Sequence, residues 1–165
     1  MAHVARTALS WFRRGNKRER IDPFTLTDPW RSYVQRAQQA QSRFLRVLAT
    51  VEDGPLRDRL VDVDQRVTEG VLACWRIAQS GYQLHKTMTQ VADTDSEAVT
   101  RMRVHETETQ QKLSALTRSL DEAVARAAEL ATGQLDGLDS AVHDVGSVVD
   151  DLEALRQAIA EVTPT

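Results

Sequence analysis

Apolar and small residues recur through the middle of the chain with the spacing of one long helix. Between positions 56 and 91 they lie alternately four and three residues apart, which is the 3.5-residue repeat of a helix packed lengthwise on other helices. At a rise of 1.5 Å per residue such a helix is roughly 50 Å long, so the other elements must pack along it. The repeat consists of Leu56, Leu60, Val63, Val67, Gly70, Cys74, Ile77, Gly81, Leu84, Met88 and Val91.

A shorter helix is predicted before it, over residues 28–52. Asp28 is its expected N-cap, and Pro29 stands in its first turn. Its apolar stripe consists of Trp30, Tyr33, Val34, Ala37, Ala40, Phe44, Val47, Leu48 and Val51. Four arginines lie largely off that stripe: Arg31, Arg36, Arg43 and Arg46.

The connection between these two helices is short. Gly54 is expected to adopt the left-handed conformation that ends the first helix, and Pro55 to start the second. So short a connection joins antiparallel neighbours, and the second helix is predicted over residues 55–92.

Two further helices are predicted, over residues 96–132 and 138–162, with Gly133 closing the third. Candidate caps for the third helix are Thr94 with Glu97, Asp95, and Ser96. Its seam consists of Val99, Met102, Leu113, Leu116, Leu120, Val124, Ala127 and Leu130. The seam of the fourth consists of Leu138, Ala141, Val142, Val145, Val148, Val149, Leu152, Leu155, Ile159 and Val162.

A polar stretch interrupts the third seam at residues 103–112. A helix that is polar all round persists only where little packs against it. This stretch is therefore expected near the far end of an exposed two-helix arm. The alternative is a melted loop that divides two shorter helices.

The helix lengths predict a shape, because the first and fourth helices have about 25 residues and the second and third about 37. The predicted fold is all-α, an antiparallel four-helix bundle over residues 28–165. Its helices two and three extend into a two-helix coiled-coil arm of about 15–20 Å, with its tip at residues 93–96. Residues 1–27 form a separate segment with a short amphipathic helix.

The N-terminal segment combines an apolar face with a basic cluster. Residues 1–27 carry six basic and two acidic side chains, a net charge of +4. An apolar face that ends in two aromatic residues beside basic residues suits an anionic membrane surface, where each Arg or Lys adds about 1 kcal/mol. The predicted membrane-contact residues are Val4, Leu9, Trp11, Phe12, Arg13, Arg14, Lys17 and Arg18.

Two alternatives stand beside membrane contact for this segment. One is a disordered extension whose aromatic residues dock on the body. The other is an RNA or DNA arm, which is disfavoured because the basic cluster is short and the body adds no basic stripe.

An extended connector is predicted over residues 21–27, since Pro23 disfavours helix at Asp22. Phe24 and Leu26 within it are expected to cap one end of the core.

Composition agrees with a helical cytoplasmic protein. Hydrophobic residues make up 41% and aromatic residues 5% of the 165 positions, a balance that favours helices. The single cysteine excludes an intramolecular disulfide and fits a reducing cytoplasm. No apolar run approaches the length of a membrane span, and residues 1–10 lack the apolar core of a secretory signal. The expected location is the cytoplasm, at the inner face of the plasma membrane if the N-terminal segment binds lipid.

The net charge of −3 hides an acidic C-terminal third. Residues 121–165 carry ten acidic and two basic side chains, a net charge of −8. The outer face of the predicted fourth helix holds Asp144, Asp150, Asp151, Glu153 and Glu161. This acidic face is solvated, neighbours the arginines of the first helix, or contacts a basic partner.

Catalytic and metal-binding patterns are missing from the sequence. The four histidines (His3, His85, His105 and His143) form no Glu-x-x-His pair, which disfavours a di-metal bundle. Cys74 lies on the seam, where a buried thiol is inert. No Gly-rich phosphate loop follows a strand, since no strand is predicted. We therefore expect no enzymatic activity, no cofactor and no metal site.

Two family resemblances follow from the layout and from short motifs. A basic amphipathic N-terminus, a connector with proline, a long helical hairpin and a later acidic helix resemble the phage-shock protein A and ESCRT-III-like membrane-remodelling group. This chain departs from that group because a separate helix precedes the hairpin. The motifs Asp22-Pro23-Phe24-Thr25-Leu26-Thr27-Asp28-Pro29-Trp30, Gly54-Pro55-Leu56-Arg57-Asp58-Arg59-Leu60 and Cys74-Trp75-Arg76-Ile77-Ala78 resemble an actinobacterial family of all-helical proteins. That resemblance implies bacterial origin and cytoplasmic residence, and it carries over no functional residue.

Two functions are compatible with these patterns. The first is a non-enzymatic scaffold or adaptor held peripherally at an anionic membrane by its N-terminus. The second is a soluble protein-interaction or oligomeric coiled-coil adaptor without membrane contact. A protein partner or self-association is favoured in both. The predicted partner-contact residues, on the outer third of the second helix, are Tyr82, Leu84, Met88 and Val91.

Overall fold

The computed structural model describes residues 19–91 and 96–133, and these residues are helical with short connections. A 3₁₀ turn over Pro23–Thr25 precedes three α-helices: α1, Trp30–Thr50; α2, Pro55–Gln90; and α3, Glu97–Ala131. The all-helical class is confirmed for the described residues. The predicted N-terminal helix and fourth helix lie outside them.

Side-chain contacts show how the three helices run. Gln41 on α1 donates to the Thr68 hydroxyl on α2 at 3.1 Å, while Gly81 at the other end of α2 packs against Trp30. Gly70 of α2 packs against Leu120 of α3, and the His85 ring nitrogen of α2 lies 2.8 Å from the Glu106 carboxylate of α3. In each pairing, residue numbers rise along α1 or α3 as they fall along α2. α1 and α3 are therefore each antiparallel to α2 and parallel to each other.

A continuous apolar core lies between the three helices. The seam residues predicted for α1, α2 and α3 supply fifteen of its twenty described residues, and the other five are Leu26, Val71, Trp75, Ala78 and Ala123. Its largest side chains with almost no exposure are Trp30, Phe44, Leu60, Leu113, Leu116 and Leu120. The three described helices therefore close a core of their own.

The hairpin between α1 and α2 is confirmed, with one correction. Pro55 is the first residue of α2, as expected. Gly54 has a φ of 160°, which is extended backbone, so the predicted left-handed conformation is wrong. Arg57 instead satisfies the end of α1, because its guanidinium donates to the backbone oxygens of Leu48 at 3.1 Å and Val51 at 2.6 Å.

The start of α1 also differs from the prediction. Asp28 is not the N-cap; that position belongs to Pro29, which cannot supply a side-chain acceptor. The Asp28 carboxylate accepts a hydrogen bond from the Ser32 hydroxyl at 2.6 Å instead. At the start of α3, Ser96 is the cap, and its hydroxyl accepts from the Val99 amide.

The connector before α1, predicted to be extended over residues 21–27, contains a 3₁₀ turn at Pro23–Thr25, with Asp22 and Leu26 extended on either side. Asp22 caps it, since its carboxylate accepts from the Phe24 amide at 3.1 Å and its backbone oxygen from the Thr25 hydroxyl at 2.8 Å. Leu26 is buried, as predicted. Phe24 is 74% exposed, so its predicted place at the end of the core is wrong.

The polar stretch 103–112 is helical throughout, within an uninterrupted α3. The alternative of a melted loop is therefore wrong. Beyond Gly81, which lies beside the first residue of α1, α2 continues for nine residues, or about 14 Å. We call the part of α2 after Gly81 and the facing part of α3, residues 82–90 and 97–108, the arm.

Candidate functional site

The outward surface of α1 is strongly basic. The helix carries four arginines and no acidic residue. We call Arg36, Arg43 and Arg46 the arginine face. Their spacings of seven and three residues keep them on one side of the helix, away from the buried stripe.

One carboxylate on α3 meets two of these arginines. Arg36 and Arg43 lie 2.8 Å and 2.7 Å from the Asp121 carboxylate. Their nitrogens reach different oxygens of that carboxylate, so Asp121 joins α1 to α3 at two points. Arg46 donates to the backbone oxygen of Ser42 within its own helix. The arginine face therefore keeps a surplus of positive charge over its described partner.

An open groove of about 630 Å³ runs along this side of α1. We call it the α1 groove. It is lined by Pro23, Phe24, Gln35, Gln38, Gln39, Ser42, Arg43 and Arg46. Six of the eight lining residues carry amide, hydroxyl or guanidinium groups, so the groove offers hydrogen-bond donors to acceptors and anionic groups.

A rigid turn presents an aromatic ring at one end of the groove. Phe24 is held outward by the capping bonds of Asp22, and the Arg31 guanidinium lies 5.9 Å from the centre of its ring. Arg31 is itself fixed, since its Nε donates to the Leu26 backbone oxygen at 2.9 Å. An exposed and well-held aromatic ring beside arginines is typical of an interaction surface.

The arm holds most of its apolar residues inward. Met88 is 9% exposed, while Tyr82 and Leu84 are half-buried. Tyr82 also packs on the core, and the Lys86 ammonium lies 5.6 Å from its ring centre. Of the four predicted partner-contact residues, Val91 is the most exposed, at 39%. Val104, which the sequence analysis did not select, is 54% exposed on α3.

The predicted membrane-contact residues, from Val4 to Arg18, lie outside the described residues. The described chain begins at Glu19, whose carboxylate lies 2.9 Å from the Arg76 guanidinium of α2. Glu19 therefore lies on the side of α2 that carries Arg76.

Cys74 in the core and the partly buried Asp64 both have raised pKa values. Burial raises the pKa of the Cys74 thiol to about 12, and its Sγ lies 3.7 Å from the Tyr33 backbone oxygen. Desolvation also raises the pKa of the Asp64 carboxyl, one oxygen of which has no hydrogen-bond partner among the described residues. A thiol that stays protonated at neutral pH is a poor nucleophile.

The described residues include neither a metal-holding cluster nor a helix suited to span a membrane. Within 19–91 and 96–133, no three His, Cys, Asp or Glu side chains are grouped so that they could hold a metal ion. None of the three described α-helices combines the length and the apolar character that crossing a bilayer requires.

The sequence did not predict the main features of the α1 groove. The outward position of Phe24 and the bridging role of Asp121 depend on packing between elements distant in sequence. A usable signal was the absence of acidic residues from a helix with four arginines. Comparisons with protein-family models, curated proteins and solved structures found no match to this chain. The two resemblances noted from the sequence therefore stay interpretations.

Proposed function

We propose that this protein is a non-enzymatic helical scaffold that associates peripherally with the inner face of the plasma membrane through residues 1–20. The observation that carries the proposal is the sequence order Trp11-Phe12-Arg13-Arg14, in which an apolar aromatic edge meets a basic cluster. Aromatic rings suit headgroup depth, and the arginines and lysine that follow suit anionic lipid.

The body is proposed to be a four-helix bundle with a coiled-coil arm. Residues 138–162 form the fourth helix in this proposal, and residues 2–12 the amphipathic N-terminal helix. In this proposal, the ion pair between Glu19 and Arg76 of α2 fixes the point on the body from which residues 1–18 extend to the membrane. The helical bundle then remains on the cytoplasmic side, available to a protein partner.

Co-sedimentation with liposomes tests the membrane proposal. Full-length protein should sediment with vesicles containing phosphatidylglycerol and stay in solution with phosphatidylcholine alone. Deletion of residues 1–18, which keeps the Glu19 contact, should abolish sedimentation. The Trp11→Ala/Phe12→Ala and Arg13→Ser/Arg14→Ser pairs should each weaken it, and added salt should weaken the binding of the wild type.

A charge-matched control separates this segment from general basicity. Arg101→Ser/Arg103→Ser removes two arginines from the exposed side of the arm and should sediment like the wild type. Undiminished sedimentation of the deletion variant would contradict the membrane proposal.

A second function, a soluble interaction module, is favoured by the exposed valine on the arm. Val104 is 54% exposed on a stretch that is otherwise polar. If the arm binds a partner or a second copy, Val104→Glu should change the molar mass measured by light scattering or abolish capture of the partner. Val61→Glu is the matched control, because Val61 is 49% exposed on the body of α2. Identical behaviour of the two variants would argue against the arm as the contact.

A further inference from the structure

We propose that the α1 groove is the docking site for this chain's own acidic segment, residues 138–162, which packs along α1 in the opposite direction. The proposal rests on the fourth helix put forward above, and it adds the surface that this helix covers and the register in which it does so.

The positive charge on α1 is only partly balanced by the described residues around it. Four arginines and no acidic residue lie on the helix, and Asp121 is shared between Arg36 and Arg43. Arg46 donates only to a backbone oxygen of its own helix among the bonds that the structure describes. A site with two guanidinium groups on one carboxylate and a third close by favours a further anionic partner.

The proposed occupant, residues 138–162, carries the negative charge that complements α1. Residues 138–162 carry six acidic side chains and one arginine, a net charge of −5. Its apolar seam is rich in valine and leucine, and it needs a surface to cover. The Phe24 ring and the methylene stems of the glutamines and arginines in the α1 groove supply such a surface.

The acidic segment begins at the right end of the bundle and is long enough to run back along α1. α1 and α3 are parallel, so α3 ends at Ala131 at the same end of the bundle as Thr50 of α1. A helix that starts a few residues later and reverses direction would run back along α1. Its 25 residues would span about 37 Å, enough to cover the roughly 30 Å of α1 and to reach the turn at Phe24.

The charged residues of the acidic segment and of α1 have the same spacing, which defines a register between the two helices. Arg36 and Arg43 are seven residues apart on α1, and Asp144 and Asp151 are seven apart on the acidic segment. In antiparallel helices, one alignment sets Asp144 against Arg43 and Asp151 against Arg36. The same alignment places Val148 opposite Gln39 and the apolar end of the segment, at Val162, near Phe24.

Cysteine cross-linking tests this register directly. In a Cys74→Ser background, Gln39→Cys with Val148→Cys should form an intramolecular disulfide under mild oxidation, because a disulfide requires Cα atoms about 4.4–6.8 Å apart. The matched control is Gln39→Cys with Asp150→Cys, which moves the second thiol roughly 160° round the helix from Val148, away from the side that faces α1 in this register. The in-register pair should close at least about tenfold faster than the control, and high salt should slow it.

Each outcome of the cross-linking decides the proposal. A monomer with a closed disulfide supports it. A disulfide-linked dimer would show that the segment docks on a second copy, which overturns docking within one chain. Equal rates for the two pairs, or no closure in either, would also overturn it.

A second measurement separates this proposal from the one on which it rests. Circular dichroism of the full chain and of residues 1–133 reports whether residues 134–165 add helix. Absence of added helix would contradict the fourth helix itself, whereas added helix without cross-linking would contradict only its docking on α1. Liposome binding by the N-terminal segment is independent of both results.

Discussion

At the level of single residues, the contact between Trp30 and Gly81 sets where α1 begins along α2. The indole ring is fully buried and lies directly on the backbone of Gly81. A Cβ atom at Gly81 would overlap Cζ3 and Cη2 of the ring and lie 2.8 Å from Cε3. Only glycine therefore leaves room for the tryptophan that starts the first helix.

Gly81→Ala is accordingly expected to destabilise the protein. Relief requires a rigid, enclosed ring to move, and overpacking of this kind costs about 1–3 kcal/mol. Chemical denaturation in urea measures the free energy of unfolding. Gly70→Ala is the control, because its Cβ would meet side-chain carbons of Leu120, at 3.2 Å, and Leu116, at 3.9 Å, and no rigid ring. Helix propensity favours alanine by about 1 kcal/mol, so Gly70→Ala should be neutral or stabilising.

A double substitution checks the cause. If the ring is the obstacle, Gly81→Ala should cost less in a Trp30→Leu background than in the wild type. Equal stability of the Gly81→Ala and Gly70→Ala proteins would contradict the packing of Trp30 on α2.

Cys74 should make stability depend on pH in the alkaline range. Burial raises the pKa of its thiol from 9.0 to about 12, so the unfolded chain ionises first as the pH rises. The folded state then loses stability across that window, by at most about 1.4 kcal/mol per pH unit. The difference in unfolding free energy between the wild type and Cys74→Ala, measured from pH 8 to 11, isolates this contribution from other groups. A constant difference would argue against a buried, protonated thiol.

At the level of helices, Asp121 is the link between α1 and α3. Its side chain is 25% exposed and receives Arg36 and Arg43, which are about half exposed. Solvent screening limits the stabilisation that each ion pair supplies. Removal of the shared carboxylate, however, also leaves the like charges of Arg36 and Arg43 close together. The link is thus worth more than an isolated surface pair.

We expect Asp121→Asn to lower the free energy of unfolding by about 1 kcal/mol at low salt and by less at high salt. Glu122→Gln is the adjacent control, because it removes only the exposed pair with Arg126 one helical turn away, at 3.4 Å. That change should cost at most about 0.5 kcal/mol. A salt-independent loss at Asp121, or an equal loss at Glu122, would contradict the bridging role.

The helices also show which features of the fold follow from the sequence. Apolar spacing predicted the seams of α2 and α3, since burial depends on a repeat within one element. Proline at position 55 and glycine at 133 predicted helix ends, because their backbone preferences are local. The prediction that Phe24 is buried was wrong because its exposure does not depend on a repeat within one helix. It depends on how Asp22 and Arg31 fix a turn.

The same distinction applies to the candidate site. The four arginines of α1 and their place off the stripe were visible in the sequence. The convergence of Arg36 and Arg43 on Asp121 was not, because it depends on the parallel alignment of α1 with α3. The spacing of the arginines in the sequence predicted that they lie off the buried stripe of α1. Their partner, Asp121, follows only from the packing of α1 against α3.

At the level of the whole molecule, the described helices form two regions of unequal support. The section from Leu60 to Ala78 of α2 packs against both α1 and α3, and its core residues are almost fully buried: Leu60, Val63, Val67, Val71, Cys74, Trp75 and Ala78. The arm is built from two helices, joined by Met88, Val99 and the contact between His85 and Glu106. Fewer buried apolar contacts give a lower free energy of local opening.

Amide hydrogen exchange should therefore be faster in the arm than in the three-helix section. Met88→Ala removes a buried arm side chain and is expected to speed exchange at residues 82–90 and 97–108 alone. Leu116→Ala removes a fully buried side chain of the central core, where truncation costs about 2–5 kcal/mol, and should speed exchange throughout. Uniform acceleration by Met88→Ala would mean that the arm and the three-helix section open as one unit, because a change confined to the arm would then reach the whole core.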